Sequence, residues 1–380
     1  MIKETMAKDD FPNDLLTEIL FTLSTKSLLR FKSVSRSWCS LIDDPFFVKS
    51  HHQISTEINR NSKFIVQGTD GQMFTISLLD SCNKVVNNVD PPLCLENMIL
   101  RGSCNGLVCL TDPENAILCN ISTKDYCKVR FPPFQETTIS LSYGFGYDSI
   151  SDDYKVVRVD YFYSKQIESY TSDIQVYSLR KDSWNSPQSN TLSCIQSSYR
   201  FKEDDAVLVS GALHWVASRN SLNYHDEPYF AIALNLAEET SSKIVLPKTN
   251  TEPVMGVIEG CFAVTCYDYT TDLPDADIWV MKDYMVEESW TKLLRMSFMV
   301  GLGKPLRPIT YSRSGNKILL HSPCCVHLYH PGNGEEYITD CSYYGLAIGP
   351  YAESLVSISA YKGCWQKTGR IKQKENSAEM

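Results

Sequence analysis

The chain has 380 residues, enough for two or three domains, and its hydrophobic content of 43% is typical of a folded globular protein. No uninterrupted apolar stretch approaches the roughly 20 residues of a membrane-spanning helix, and the charged first ten residues lack the apolar core of a signal peptide. We therefore expect a cytoplasmic or also nuclear protein without a membrane partner.

The charge is unevenly distributed along the chain. Residues 1–52 are neutral and residues 366–380 are slightly basic, which leaves 25 basic and 36 acidic side chains between residues 53 and 365, a net charge of −11. Such an acidic region disfavours nucleic acid, whose phosphates need a basic footprint. It favours a basic partner, although the charge can equally serve to keep the domain in solution.

The 14 cysteines show no C-x-x-C spacing, so neither a zinc ribbon nor a thioredoxin-like redox motif is indicated. Cys109, Cys119 and Cys266 lie within apolar stretches, where a cysteine behaves as a small buried hydrophobic residue. In a reducing compartment we expect no disulfide scaffold.

The N-terminal region has helical periodicity. Leu15, Leu16, Ile19, Leu20 and Leu23 form one apolar stripe, preceded by Phe11-Pro12. A second helix is predicted to begin at the capping residues Ser24 and Thr25 and to end before Asp43-Asp44-Pro45. Its apolar face holds Leu28, Phe31, Val34, Trp38, Leu41 and Ile42. Some forty residues cannot bury so many large side chains alone, so the remainder must pack on the rest of the chain or on another protein.

The order and spacing of these residues resemble an F-box, the helical module by which F-box proteins bind the Skp-type adaptor of a cullin-based ubiquitin ligase. The resemblance implies a domain over residues 10–52, after a disordered stretch 1–9 and before a linker 53–62. It implies an adaptor-binding surface formed by Phe11, Pro12, Leu15, Leu16, Ile19, Leu20, Leu28, Phe31, Val34 and Trp38. Phe11 stands where the family usually has Leu, and Ser24 stands where a second Pro is usual.

From residue 63 to 365 the sequence changes to short strand-like stretches separated by turn residues. A unit recurs in which a glycine and an apolar strand precede a strand, a polar turn and another strand. The second halves begin at Ile117, Ile174, Ile232, Ile278 and Val326, a degenerate period near fifty residues. This period predicts a β-propeller, irregular in its first blade, and a large β-sandwich is the alternative. The predicted fold class is thus multi-domain α + β, a small all-α module followed by an all-β propeller-like domain.

Several stretches of this region resemble the F-box-associated domain of plant F-box proteins, among them GSCNGLVCL from Gly102 and GALHW from Gly211. Residues 277–294 and 353–363 resemble most the S-locus and S-locus-like branch. The resemblance implies a non-catalytic substrate receptor of an SCF (Skp-cullin-F-box) ubiquitin ligase, whose β domain binds a target protein. In the S-locus branch the target is a stylar S-ribonuclease, and the alternative is an F-box/kelch receptor for another target.

The remaining chemistry is sparse. His321, Cys324, Cys325, His327 and His330 are zinc-ligand types, but their spacing fits no tetrahedral site, and we expect no metal and no cofactor. There is no G-x-S-x-G motif. A propeller enzyme or sugar-binding protein stays an alternative that predicts a polar central pocket lined by His or Asp. Trp184, Trp215, Trp279, Trp290 and Trp365 are expected in the blade cores, and residues 366–380 are expected to be disordered.

Overall fold

A computed structural model describes most of the chain. The described residues are 13–58, 63–68, 71–78, 84–89, 97–133, 137–166, 169–187, 199–201, 205–219, 229–249, 251–268, 275–297, 306–312, 315–322, 325–331, 336–338 and 345–361.

The N-terminal module consists of four helices, α1 (Asn13–Phe21), α2 (Thr25–Phe31), α3 (Arg36–Ile42) and α4 (Pro45–Ile58). The single helix predicted between Ser24 and Ile42 is wrong, because the Ser35 side chain accepts a hydrogen bond from the Trp38 N–H at 3.2 Å and begins a new helix. Ser24 caps α2 in the same way, through the Ser27 N–H at 3.3 Å.

Pro45 begins a helix, although the sequence pattern placed a stop there. The Asp44 carboxylate accepts hydrogen bonds from the N–H groups of Phe46 at 3.0 Å and Phe47 at 3.1 Å. Proline fits the first helical position because the N–H that it lacks has no intrahelical partner there. Helix α4 then continues to Ile58, so the expected linker 53–62 is helical over residues 53–58.

The described strands form six antiparallel sheets, which are the blades of a six-bladed β-propeller. Blade 1 contains β1 (Lys63–Gly68), β2 (Met73–Leu78), β3 (Lys84–Val89) and the last strand of the chain, β25 (Gly345–Pro350). Blade 2 contains β4 (Ile99–Cys104), β5 (Leu107–Thr111), β6 (Asn115–Asn120) and β7 (Asp125–Arg130). Blade 3 contains β8 (Thr138–Asp148), β9 (Asp153–Ser164), β10 (Ser169–Ser178) and β11 (Ser183–Asn185).

The other three blades follow in chain order. Blade 4 contains β12 (Tyr199–Phe201), β13 (Val207–Val209), β14 (Ala212–Arg219), β15 (Phe230–Asn235) and β16 (Ser241–Val245). Blade 5 contains β17 (Val254–Ile258), β18 (Cys261–Asp268), β19 (Asp275–Met281) and β20 (Trp290–Ser297), with a 3-10 turn at Glu287–Ser289. Blade 6 contains β21 (Arg307–Tyr311), β22 (Ile318–Ser322), β23 (Cys325–Tyr329) and β24 (Glu336–Ile338), and a short helix α5 (Ile358–Tyr361) follows blade 1's β25.

The repeat read from the sequence is confirmed by this arrangement. The five predicted unit starts all lie in third strands, namely β6, β10, β15, β19 and β23. The sandwich alternative is therefore wrong. Blade 1 differs from the others because β25 pairs with β1 and joins the two ends of the domain. Residues 87–89 belong to its strand β3.

Two-residue turns explain the recurring glycines. Asn105-Gly106 joins β4 to β5 with φ values of 49° and 82°, and Glu259-Gly260 joins β17 to β18 with 50° and 78°. Positive φ at both central residues is the geometry of the tight hairpin turn that matches strand twist, and glycine adopts it at low cost. The glycine before each apolar strand therefore marks the start of a blade's second strand.

Neighbouring blades are joined by packed faces and by tryptophan. Trp184 of blade 3 donates its indole N–H to the Arg130 carbonyl of blade 2 at 2.9 Å, and Trp290 of blade 5 donates to the Val245 carbonyl of blade 4 at 3.0 Å. Trp215 is completely buried between blades. The expected core role is confirmed for Trp215, while Trp365 lies outside the described residues.

The propeller has two distinct faces. Because the strands of a blade alternate in direction, the Asn105-Gly106 and Glu259-Gly260 turns lie on one face, which we call the turn face. The helical module packs on this face, where Lys49 of α4 forms an ion pair with Asp152 at 2.8 Å. The strand ends at which a second strand continues to a third strand lie on the opposite face, as do those at which one blade continues to the next. We call this opposite face the open face.

Candidate functional site

The helical module has a small core of its own, completed by one residue from the far end of the chain. Leu20, Leu28, Ile42 and Phe47 are buried together with Leu355. The Phe21 ring stacks on Phe47 at a centroid distance of 4.7 Å. Part of the apolar excess of the module is thus covered by the propeller domain.

Another part of that excess stays uncovered. Leu15 and Ile19 on α1 are each 50% exposed, and Val34 between α2 and α3 is 60% exposed. These side chains belong to the predicted adaptor surface, and nothing in the described chain covers them. Leu16, Phe31 and Trp38 are half-buried and pack against the module core, with the Phe31 and Trp38 rings in edge contact at 5.5 Å.

The predicted adaptor surface needs one correction. Leu20 and Leu28 are both 0% exposed and lie inside the module core, so their side chains cannot contact a partner without unfolding that core. Phe11 and Pro12 lie outside the described residues.

Phe46 was missed by the sequence reasoning. It is 76% exposed at the start of α4, while the adjacent Phe47 is buried. The sequence pattern predicted a helix end before Pro45, although proline at a first helical position was a usable signal that a new helix begins there. Phe46 is thus a further uncovered apolar side chain of the module.

A cavity of about 610 Å³ occupies the centre of the propeller and reaches the module. Its wall is formed mainly by the innermost strand of each blade, and His52, Ser55 and Thr56 of α4 line it from the module. A volume of this size is within the range of small-molecule sites. The alternative enzyme or sugar-binding reading predicted a polar pocket lined by His or Asp.

The wall of the cavity is mixed in character, and much of its charge is paired. Arg101 donates to Asp205 at 3.0 Å and to the Thr111 hydroxyl at 2.7 Å, and its guanidinium lies over the Tyr143 ring at 4.4 Å. At the mouth near the module, Lys63 and Glu353 form an ion pair at 2.6 Å. Burial lowers the pKa of His52, against the opposing effect of a hydrogen bond with Asn105.

Some strand ends at the open face are separated by long intervals of sequence. Strand β14 ends at Arg219 and β15 begins at Phe230, and β20 ends at Ser297 and β21 begins at Arg307. Binding sites are disproportionately found on loops carried by a rigid scaffold. The exposed apolar side chains of the module and these strand ends therefore lie on opposite sides of the propeller.

The zinc-type residues of blade 6 are not brought together as far as the structure describes them. His327 is buried and hydrogen-bonded to Ser322 at 3.1 Å, and it pairs with Leu320, so that His321 lies on the other face of the sheet. Cys324 lies outside the described residues. Within the described ranges, no group of three His, Cys, Asp or Glu residues could hold a metal ion.

The cysteines in apolar stretches are buried as expected. Cys109, Cys119 and Cys266 are free thiols in the blade cores. Burial raises the pKa of Cys119 and of Cys266 to about 12, so these thiols are protonated at neutral pH. Among the described helices, none has both the length and the apolar character required to cross a bilayer.

Comparison with known proteins agrees with this geometry. Residues 9–50 match the F-box domain family, and residues 47–320 match the F-box associated beta propeller domain family. The chain is 30% identical to F-box protein CPR1 of Arabidopsis thaliana over 333 residues, covering 81% of this chain and 79% of the relative. It is 27% identical to F-box/kelch-repeat protein At3g23880 of the same plant, covering 87% of this chain and 91% of that one.

Solved structures match this chain at low sequence identity. A putative TolB from Agrobacterium tumefaciens has 8% identity and a TM-score of 0.40, with coverage of 75% of this chain and 90% of that chain. The family match, in contrast, spans both domains. This chain therefore belongs to the plant F-box proteins with an F-box associated β-propeller domain, a combination that implies a substrate-recognition subunit of an SCF ubiquitin ligase.

Proposed function

We propose that Leu15, Ile19 and Val34, with the half-buried Leu16, Phe31 and Trp38, form the docking surface for the Skp-type adaptor, which links the chain to the cullin. The exposure of the first three residues on a module whose core residues Leu20, Leu28, Ile42 and Phe47 are buried is the observation that supports this proposal. Exposed apolar side chains grouped on one small domain are typical of a protein-interaction site.

Co-purification with a plant Skp-type adaptor tests this surface. The full chain is expected to form a stoichiometric complex, and the variant Leu15→Ala/Ile19→Ala/Val34→Asp is expected to form none. Ile150→Ala is the matched control, because Ile150 is also a highly exposed apolar residue but lies on blade 3 of the propeller. Equal binding by wild type and the triple variant would show that the adaptor docks elsewhere, and no binding by folded wild type would contradict the ligase function.

The same proposal assigns target recognition to the open face. A target held there lies on the side of the propeller away from the module, so it does not compete with the adaptor for space. The receptor performs no covalent step in this scheme. It raises the effective concentration of a target lysine near a ubiquitin-charged enzyme, which is catalysis by proximity.

For the target itself we propose a basic stylar S-ribonuclease. Two observations support it: the net charge of −11 between residues 53 and 365, and the resemblance of residues 277–294 and 353–363 to the S-locus branch. Opposite charges steer association and make it dependent on salt concentration.

A binding assay with an S-ribonuclease, and with an equally basic ribonuclease from outside the style as control, tests this target. Tight binding of the S-ribonuclease alone is expected, with an association rate that falls as salt is added. Equal binding of both ribonucleases would show that the interaction depends only on their positive charge, and it would contradict the proposed target. Binding of neither would favour the alternative of an F-box/kelch-type receptor for another protein.

A further inference from the structure

We propose that residues 351–361, which we call the brace, fix the F-box module on the propeller and thereby set the position of a bound target relative to the adaptor. The positioning of a target rests on the proposed receptor function, whereas the attachment of the module to the propeller does not. The brace follows the last strand β25 and crosses the turn face between the two domains.

One side of the brace is part of the F-box core. Leu355 is 3% exposed and packs with Leu20, Leu28, Ile42 and Phe47. Since these four residues are the buried centre of the module, loss of Leu355 would open a cavity in it. The module is therefore attached through its core and not only through its exit helix.

The other side of the brace is anchored to blade 2 by hydrogen bonds. The Asn120 side-chain N–H₂ donates to the carbonyl oxygens of Ser354 at 3.0 Å and Val356 at 2.8 Å. The Asp125 carboxylate accepts from the Ile358 N–H at 2.8 Å. Asn120 and Ser354 are completely buried, which excludes competing water from these bonds.

Apolar packing continues the same attachment. Val356 and Ile358 belong to the cluster between blades 2 and 3, and Val48 of α4 packs against that cluster. Module, brace and blades thus share one contiguous set of apolar contacts.

A polar cluster next to the brace holds α4 in place. Asp152 accepts hydrogen bonds from the Tyr361 hydroxyl at 3.2 Å and the Tyr147 hydroxyl at 2.5 Å. The same carboxylate forms ion pairs with Lys49 of α4 at 2.8 Å and Arg180 at 2.9 Å. One side chain of blade 3 therefore connects the module, the brace and a second turn of the blade.

The position matters because ubiquitin transfer by an SCF receptor depends on proximity. A rigid receptor holds the target in a narrow range of positions relative to the ubiquitin-charged enzyme. A flexible receptor spreads the target over more positions, which lowers the effective concentration of each target lysine near that enzyme. A brace that orders the two domains is thus expected to restrict which lysines are modified.

The turn at Gly106 offers a way to displace the brace. A Cβ atom at Gly106 would meet the Ser354 Cβ at 2.5 Å and the Ala352 carbonyl oxygen at 2.8 Å, too close for either. Gly260 occupies the same turn in blade 5 with nearly the same φ, and a Cβ there would meet nothing within 4 Å. Gly106→Ala and Gly260→Ala therefore carry the same backbone strain, and only the first pushes on the brace.

Hydrogen–deuterium exchange of the free full-length variants tests the brace directly. We expect amides of α4 and residues 351–361 to exchange at least about tenfold faster in Gly106→Ala than in wild type or in Gly260→Ala. Equal exchange in these segments for both variants would overturn the proposal. Should Gly106→Ala fail to fold, Lys49→Glu tests the Asp152 contact at the surface, with Lys32→Glu as control because the partner of Lys32, Asp43, lies within the module.

A reconstituted ligase gives the functional readout. Lysines of the propeller domain take the place of target lysines, because the brace fixes both relative to the adaptor, and the ubiquitinated ones are mapped by mass spectrometry. Wild type and Gly260→Ala are expected to share one restricted set of modified lysines, and Gly106→Ala is expected to spread modification over more of them. An unchanged set in Gly106→Ala, in spite of faster exchange, would refute the positioning role. If folded wild type fails to bind the adaptor, the receptor function is contradicted instead. The hydrogen–deuterium exchange experiment then still tests whether the brace fixes the module on the propeller.

Discussion

The F-box module and the propeller satisfy their apolar side chains in opposite ways. The propeller buries its large residues in clusters between blades, with Trp215 and Tyr154 almost wholly enclosed. The module leaves Leu15, Ile19 and Val34 exposed and takes Leu355 from outside its own sequence to complete its core.

This difference follows from size. A closed ring of six sheets buries each blade against two neighbours, whereas a few short helices have too little interior for their apolar surface. The stability of the propeller is therefore expected to depend on close packing between blades. In the module, some apolar residues are expected to stabilise the fold and others to bind the partner. Four predictions test this comparison.

The largest effect is expected where the backbones of blades 5 and 6 pack directly against each other. A Cβ atom at Gly256 in β17 would collide with the Pro308 carbonyl of blade 6 and lie 2.8 Å from its Cδ atom, so Gly256→Ala must separate two backbones. Overpacking of this kind is expected to lower the free energy of unfolding by about 4 kcal/mol. Urea denaturation measures it.

Gly102→Ala is the matched control for that substitution. Gly102 lies on the corresponding inner strand β4, and a Cβ there would meet nothing within 4 Å. We expect a change below about 0.5 kcal/mol. A similar loss of stability for both variants would mean that the strand conformation, and not blade contact, limits stability.

The next effect separates folding from docking within the module. Leu28→Ala removes a fully buried side chain from the core and is expected to destabilise the module by about 3 kcal/mol. Leu15→Ala removes an exposed one, so stability is expected to hold while adaptor affinity falls about tenfold. Denaturation curves and titration calorimetry distinguish the two, and a stable Leu28→Ala variant would contradict the assignment of Leu28 to the core.

The sequence predicts the propeller better than the module because the relevant signals are local. Paired turn residues such as Glu259-Gly260 and the recurrent strand spacing depend on neighbouring residues only, and they led to the correct third strands. Blade 1 was harder to read because its innermost strand comes from residues 345–350, almost three hundred residues away.

The docking surface could be predicted only in part, for a physical reason. A helix with apolar residues at Leu15, Leu16, Ile19 and Leu20 has a stripe wide enough to face both a core and a partner. Which side faces inward depends on Leu355 and the propeller surface, and nothing near α1 encodes that contact. The helix boundaries at Ser35 and Pro45 were misread because both residues can also end a helix.

A pH effect of intermediate size is expected from His214 in the propeller core. Its Nδ1–H donates to the Val207 carbonyl at 3.1 Å, and its Nε2 accepts from the Tyr284 hydroxyl at 2.9 Å, an arrangement of the neutral ring. Burial lowers the pKa of His214 from 6.5 to about 4. As the pH falls, His214 is protonated near pH 6.5 in the unfolded chain but only near pH 4 in the folded chain. The free energy of unfolding therefore decreases as the pH falls through this window.

The loss attributed to His214 is about 2 kcal/mol between pH 7 and pH 5. Thermal unfolding of wild type and His214→Gln at both pH values measures it. The variant is less stable at pH 7, but the part of the pH dependence that His214 contributes should disappear. An identical pH dependence in the two proteins would show that other groups, and not His214, couple folding to protons in this range.

The smallest effect is expected at the tryptophan contacts between outer strands. Trp290→Phe keeps most of the ring packing against Phe262 but removes the hydrogen bond to the Val245 carbonyl, which is expected to cost about 1 kcal/mol. Trp184→Phe removes the equivalent bond from blade 3 to the Arg130 carbonyl of blade 2 and should cost a similar amount. The two sites are far apart in the ring, so the double variant should show the sum of both losses in urea denaturation. A loss in the double variant much larger than the sum of the two single losses would contradict this expectation and would mean that opening one blade contact loosens the other.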